Sequence, residues 1–416
     1  MRVCVLGAGV VGLASAYLLA REGHAVTVLD AEAGPGRMTS YANGAQLSYA
    51  YVAPFAAPGL LRKLPGWLAD RDGPLRLRPE LSWHQLRWLW RFWRACNAAQ
   101  VERTTAALLA LGALSRELTR EVTAREALDY AFARAGKLVV YRDAAALREA
   151  AAQVALQRRL GVEQEVLDRA GCLAVEPALA GMAERIAGGV WTPGEDAGDC
   201  HLFCEGLVAV LQRSNFRVSF RFGTRVTQLL SAGGRVIGAA TPHGVEEAEA
   251  FVLALGNGAR ALAAPLGLDL PIAPLKGYSL TVPVTGPAPQ VSVTDAAAKV
   301  VYARLRDRLR IAGMADLVGA DHRFDNRRLD SLLRLARRAF PEASDWRELK
   351  PWVGLRPATP TGLPLIGRAP GWPNLYLNVG QGALGFTLAM GSAALLADAM
   401  AERRPPIDAA AFAPRC

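Results

Sequence analysis

Cysteine, histidine and lysine are scarce in this 416-residue chain, and their scarcity narrows the field first. The six cysteines are scattered. The nearest two, Cys200 and Cys204, have only His201 beside them. A metal centre needs more ligands than that, and a disulfide framework needs paired spacings, so free thiols in a reducing compartment and no metal are expected. Of the five histidines, His201 opens a helix after Asp199-Cys200 and His243 sits in a Pro242-His-Gly244 turn. Both are expected at the surface without a catalytic role. No nucleophile-elbow pattern follows a strand, which argues against a Ser-His-Asp hydrolase. No uninterrupted apolar stretch reaches eighteen residues, so no membrane-spanning helix is expected. Glycines break the apolar amino-terminal segment, which therefore does not read as a secretory signal. There is no internal repeat and no low-complexity linker. The formal net charge of +10 comes from arginines spread along the chain. That pattern does not suggest nucleic acid, and it suits a mildly basic surface near anionic lipid equally well.

What is present is most informative at the start. Met1-Arg-Val-Cys-Val-Leu-Gly7-Ala-Gly9-Val-Val-Gly12 is followed by a helix-like run, then by Ala25-Val-Thr-Val-Leu-Asp30. This is a strand, a glycine turn, a helix, a second strand and an acid. Gly7 permits the tight turn, Gly9 lets backbone approach a pyrophosphate, and Gly12 lets helix and strand pack closely. Asp30 is placed to grip a ribose, and the helix N-terminus offers N–H groups to phosphate. A dinucleotide is expected here.

Regular strand–helix alternation does not follow. The chain enters the small, amide-rich Gly34-Pro-Gly36-Arg-Met-Thr-Ser40-Tyr-Ala-Asn43-Gly44-Ala-Gln46-Leu-Ser48, which reads as a loop. Phe251-Val-Leu-Ala-Leu-Gly256 is a later buried strand ending in glycine. Asn374-Leu-Tyr-Leu-Asn378-Val-Gly380-Gln-Gly382-Ala-Leu-Gly385 is another, running into an apolar helix. A second glycine-rich helix N-terminus suits a ring edge that becomes anionic on reduction, as a flavin does, so FAD is favoured over NAD.

In the order of its segments the chain resembles the glutathione-reductase-type flavoproteins of the D-amino-acid oxidase and glycine oxidase group, and within it the small subunits of bacterial D-amino acid dehydrogenases. The likeness rests on residues 1–30, on Ala53-Pro-Phe-Ala-Ala-Pro-Gly59, and on Asp196-Ala-Gly-Asp199-Cys. It continues through Pro274-Leu-Lys276-Gly277-Tyr278, Ala312-Gly-Met314-Ala-Asp316, Gly354-Leu-Arg356-Pro-Ala-Thr-Pro360 and residues 380–387. It departs at Tyr41, at Asn43-Gly44-Ala45, and at Gln381, where histidine is familiar. The resemblance implies FAD-dependent oxidative deamination of D-amino acids, with electrons passed to a quinone or other respiratory acceptor. Two alternatives share the fold: an O2-using oxidase of glycine, sarcosine or cyclic imino acids, and the flavoprotein subunit of a multi-subunit proline or hydroxyproline dehydrogenase.

The expected fold is α/β: an FAD-binding Rossmann-like domain with an inserted α+β substrate domain containing a mainly antiparallel sheet. Because the cofactor segments are far apart in sequence, the FAD domain is discontinuous, over residues 1–80, 171–269 and 351–416. The substrate domain takes residues 81–170, largely helical, and 270–350. Cofactor contacts are expected from Val5, Gly7, Ala8, Gly9, Val10, Val11, Gly12, Asp30 and Ala31, and from Ser40, Asn43, Gly44, Gln46 and Leu47. Further along, they are expected from Val226, whose backbone would meet adenine, and from Gly256, Gly354, Gly380, Gly382, Ala383, Leu384, Gly385 and Thr387.

Oxidation at an amino acid's α-carbon needs a fixed carboxylate, a neutral amine and a correctly aimed Cα–H. Arg356, which matches the group's carboxylate-binding arginine, can hold a carboxylate by two parallel bonds. Lys276 and Tyr302 are candidate catalytic residues, and Tyr49, Tyr51 and Tyr278 are candidates for the substrate pocket. The competing reading of each tyrosine is a packed core residue. For Lys276 it is a solvated strand end. Finally, Trp83, Trp88, Trp90 and Trp93 alternate with Arg87, Arg91 and Arg94. A helix there puts Leu86, Trp90 and Trp93 on one face, and residues 60–68 could extend it. This is the pattern of an interfacial membrane contact, with a core helix or an active-site lid as the competing reading. The expected location is cytoplasmic, with peripheral contact at the inner membrane face.

Overall fold

The computed structural model describes residues 1–415 except 53, 55, 60–65, 67–72, 74, 79, 81 and 214. Two of the segments singled out above, 53–59 and 60–68, therefore lie partly outside the described residues.

Two large sheets organise the chain. In the first, the strand order is Leu365–Arg368, Leu375–Val379, Ala250–Leu253, Arg2–Leu6, Ala25–Leu29, Val218–Arg221. All pairings are parallel except the Leu365–Arg368 edge. The central strands are apolar runs buried on both faces, as a parallel sheet between helices requires. The helix Val10–Arg21 covers this sheet, and its apolar core is shared with Ala98–Arg125, Cys200–Arg213 and Gly385–Met400. Residues 382–400 are long and apolar enough to cross a membrane, but 67% of that stretch is buried inside the protein, so it serves as a core helix.

The second sheet has nine strands and is mainly antiparallel. It runs Lys350–Ala358, Ala273–Pro283, Arg308–Leu317, Val300–Leu305, Ser292–Asp295, Lys137–Tyr141, Gly188–Thr192, Glu165–Leu167, with Leu75–Leu77 beside Arg308–Leu317. The helix Asn326–Ala339 packs on it through Leu332 and Ala336.

Hydrogen bonding redraws the domain boundaries expected from sequence. Gly188–Thr192, Leu75–Leu77 and all but the first residue of Lys350–Ala358 fall within the expected FAD segments yet belong to the second sheet. Conversely, Leu108, Leu111 and Val122 of the Ala98–Arg125 helix join the nucleotide-side core. Close packing holds that helix there: a Cβ on Gly112 would stand 2.5 Å from the Tyr49 carbonyl oxygen. Val226 precedes the strand Gln228–Ala232, which sits in a separate three-stranded sheet.

Candidate active site

The two sheets enclose a cavity of about 900 Å3. One wall is the glycine turn. Gly7 has φ +111°, and a Cβ there would lie 2.6 Å from the Ala254 carbonyl oxygen. A Cβ on Gly12 would lie 1.9 Å from the Gly7 carbonyl oxygen. Gly9 instead faces open space, meeting only Ser40 Oγ at 3.5 Å. Two glycines thus bring helix and strand together while the third leaves room for a ligand, which is the shape a pyrophosphate needs. Asp30 lines the cavity, and its carboxylate accepts the N–H of Ala8 (2.6 Å) and of Glu32 (2.8 Å). These bonds fix its rotamer for a ribose hydroxyl. The residues present fit an adenine dinucleotide.

Of the residues expected to bind cofactor, Gly7, Gly9, Val10, Val11, Asp30, Ala31, Ser40, Asn43, Gly44 and Gln46 line this cavity. So do Gly256, Gly354, Gly380, Gly382, Ala383, Leu384, Gly385 and Thr387. The others act from behind. Val5 is a core strand residue, Ala8 anchors Asp30, Gly12 packs the turn, and Leu47 is buried in the core. The Val226 side chain packs in a separate apolar cluster, and its neighbour Arg225 reaches the cavity instead.

The loop through Asn43 is held from several sides. Arg310, itself buried, donates to the Asn43 carbonyl oxygen (2.9 Å) and to Thr281 Oγ1 (2.7 Å). Gln46 Nε2 donates to the carbonyls of Val293 and Tyr302, each at 3.2 Å. Ser48 N donates to Thr387 Oγ1 (3.0 Å), tying the loop to the second glycine-rich helix start.

Arg356 faces the cavity from Lys350–Ala358. Its Nη1 donates to the Met314 carbonyl oxygen (2.8 Å), and burial pushes its pKa down while Asp316 supports the charge. The strand register makes space for it. Gly277 and Gly354 are direct partners. A Cβ on Gly277 would stand 2.4 Å from Arg356 Nη2, and one on Gly354 would stand 2.0 Å from the Trp352 ring. The facing glycines let a guanidinium and an indole lie flat over bare backbone.

The other chemical candidates separate. Tyr278 lines the cavity and its hydroxyl lies 3.4 Å from Asp316 Oδ2, while burial keeps the phenol protonated. Its ring, however, lies on the side of Lys276, whose Nζ stands 5.6 Å from the ring centre, and it packs in the core beneath Asn326–Ala339, with the hydroxyl given to Asp316. Tyr51 also lines the cavity. Lys276 does not reach it. Leu275 and Gly277 face the cavity, so strand alternation sends Lys276 the other way, where Nζ donates to the Arg323 carbonyl oxygen (2.6 Å) and pairs with Asp321 (3.6 Å). By the same alternation Val301 faces the cavity while Tyr302 is buried edge-on to Phe340. Tyr49 lies in the nucleotide-side core. Lys276, Tyr302 and Tyr49 are therefore corrected to structural positions.

Sequence reasoning missed Lys137, Ser48, Trp352 and the anchoring Arg310. It also divided the tryptophan helix incompletely. In Trp83–Ala95, Trp88 and Phe92 stack (centroids 5.2 Å) and line the cavity with Leu89, while Trp83, Trp90 and Trp93 point outward at 82%, 52% and 58% exposure. The helix is both cavity wall and exposed surface.

Comparison with known proteins agrees with this geometry. The family model described as FAD dependent oxidoreductase matches residues 2–399. The chain is 50% identical to "D-amino acid dehydrogenase 2" of Ralstonia nicotianae, covering 99% of each. It is 46% identical to the protein of the same name from Pseudomonas aeruginosa, over 100% of this chain and 98% of that one. Among solved structures, glycine oxidase from Geobacillus kaustophilus superposes with a TM-score of 0.79 at 22% identity, covering 100% of this chain and 98% of that one, a likeness of fold.

Proposed function

Because the chain belongs to the FAD-dependent oxidoreductase family, we propose that it oxidises D-amino acids to 2-oxo acids and ammonia, as the names of its near full-length relatives suggest. The observation that carries the reading is Arg356: a desolvated guanidinium on the cavity wall, with Gly277 cleared beneath it. Bound FAD supplies the two-electron acceptor for the hydride that leaves Cα. The protein's part is placement. Arg356 holds the α-carboxylate, and Trp352 walls the pocket beside it. A fixed carboxylate and a walled pocket restrict which enantiomer can aim its Cα–H at the flavin, and such orientation supplies several kcal/mol of barrier reduction. The imino acid product then hydrolyses in water. Dye-linked turnover of a D-amino acid should release ammonia and the matching 2-oxo acid in equal amounts, and absence of either product would exclude this reaction.

The proposed acceptor is a membrane quinone, and the support is the Trp83–Ala95 helix. Its outer face carries Trp83, Leu86, Trp90 and Trp93 with Arg94 over the Trp90 ring, while its inner face reaches the cavity. That combination suits docking on anionic lipid with the redox site close behind. Turnover with a quinone analogue or phenazine dye should exceed that in air-saturated buffer by at least about tenfold, ~1.4 kcal/mol in barrier. Replacing Trp90 and Trp93 by serine should weaken binding to anionic liposomes while dye-linked turnover persists. Unchanged liposome binding would exclude this face as the contact.

A further inference from the structure

We propose that Lys137, with Ser48 and Tyr51, forms a second recognition point in the cavity that takes the distal carboxylate of an acidic D-amino acid, the D-glutamate class. The inference rests on the oxidation of D-amino acids proposed above and names which of them the cavity prefers.

Cations line the cavity in two settings. Arg37, Arg225, Lys299 and His322 are exposed to solvent, whereas Arg356 is partly buried and Lys137 is buried. Exposed cations cost little and tune weakly, but a cation shut away from water must be compensated, or it awaits a partner. Arg356 has the α-carboxylate. Lys137 has an ammonium with three donors to satisfy. One goes to Ser48 Oγ at 2.8 Å, and the Nζ stands 4.1 Å from the centre of the Tyr51 ring. The nearby buried acid, Glu195, is already engaged: its two oxygens accept the backbone N–H groups of Tyr49 (2.6 Å) and Ala50 (2.7 Å). Glu195 therefore supports the charge of Lys137 at a distance without occupying its donors. Burial pulls the lysine pKa down and pushes that of Glu195 up, each opposed by the other's charge, so an anionic ligand arriving at the ammonium strengthens a charge that the site holds weakly.

The placement is built, not incidental. Lys137 starts its strand in register with Ser292, so its Cβ direction is fixed by the sheet. Ser48, which aims the ammonium, is itself held through its N–H by Thr387. The rest of the cavity offers mostly apolar wall, including Leu108, Val52 and Phe386. A carboxylate-bearing side chain accepts from the ammonium here, whereas an aliphatic one leaves it with only Ser48, the Tyr51 ring and the charge of Glu195. A site that must satisfy buried polar groups discriminates strongly against analogues lacking the matching group.

The test compares kcat/KM for D-glutamate, D-glutamine and D-norleucine with the FAD-loaded wild-type protein and with Lys137→Met, and measures calorimetrically the binding of glutarate and of hexanoate to each. Lys137→Met is expected to lower the D-glutamate to D-norleucine ratio about a hundredfold. The loss should fall mainly in KM, with glutarate binding lost and hexanoate binding retained. Ser48→Ala should lower the same ratio about tenfold by releasing the ammonium's aim, and it decides the matter if Lys137→Met does not hold flavin. An unchanged ratio in a flavin-loaded variant overturns the assignment while leaving D-amino acid oxidation standing. So does a change in quinone KM with side-chain preference intact, since that would make Lys137 an acceptor contact. A wild-type protein that turns over no D-amino acid overturns both.

Discussion

Replacing Arg356 by alanine should lower kcat/KM for a D-amino acid on the order of 10³-fold, about 4 kcal/mol, while FAD stays bound. The size follows from what is lost. The guanidinium faces the cavity with one N–H committed to the Met314 carbonyl, and the rest of its fork is available for a carboxylate. Without it the substrate has no fixed end, and Cα–H is no longer aimed. Lysine should not rescue the defect, because a single ammonium cannot reproduce the planar, two-bond grip. FAD should be retained because the dinucleotide cradle belongs to the other sheet. The check is steady-state kinetics alongside flavin content, and wild-type efficiency in either variant would remove Arg356 from this role.

The second large effect is expected at Gly12. Alanine there would place a Cβ 1.9 Å from the Gly7 carbonyl oxygen, a backbone atom that cannot swing aside. The helix Val10–Arg21 must then move off the strand, taking with it the N–H groups that would hold the pyrophosphate. FAD affinity should fall at least about a hundredfold, ~2.8 kcal/mol, and the protein should purify largely colourless. Gly9→Ala makes an instructive contrast, since its Cβ meets only Ser40 Oγ at 3.5 Å. There the fold should survive and only the ligand should feel the methyl group. Full flavin content in Gly12→Ala would contradict this account of the turn.

The nucleotide unit was the most legible part of the chain, because each of its glycines answers a separate steric demand within twelve residues. Arg356 was legible for a related reason: it stands in a short segment whose glycine and prolines constrain the backbone. Domain boundaries were far less so. Gly188–Thr192 and Lys350–Ala358 are apolar strands like any others, and only their hydrogen-bond partners reveal which sheet they join. The tyrosines failed for the same reason. Tyr302 and Val301 are adjacent in sequence, yet the pleat puts one in the core and the other on the cavity wall. The lysines failed in the same way: the sheet turns Lys276 outward to Asp321, whereas Lys137, which no motif marks, leads into the cavity. The tryptophan helix was recognised as amphipathic, but a helix with aromatic residues on two faces has no single reading until one face is seen to be covered.

The central claim is that this cavity positions a D-amino acid for hydride loss to FAD. The most direct measurement is anaerobic mixing of the flavin-loaded protein with matched D- and L-amino acids, following the long-wavelength flavin band. The account predicts rapid, complete bleaching by D-isomers in the absence of any electron acceptor, with the L-isomers leaving the band intact. Bleaching by L-isomers alone, or by neither, would contradict it.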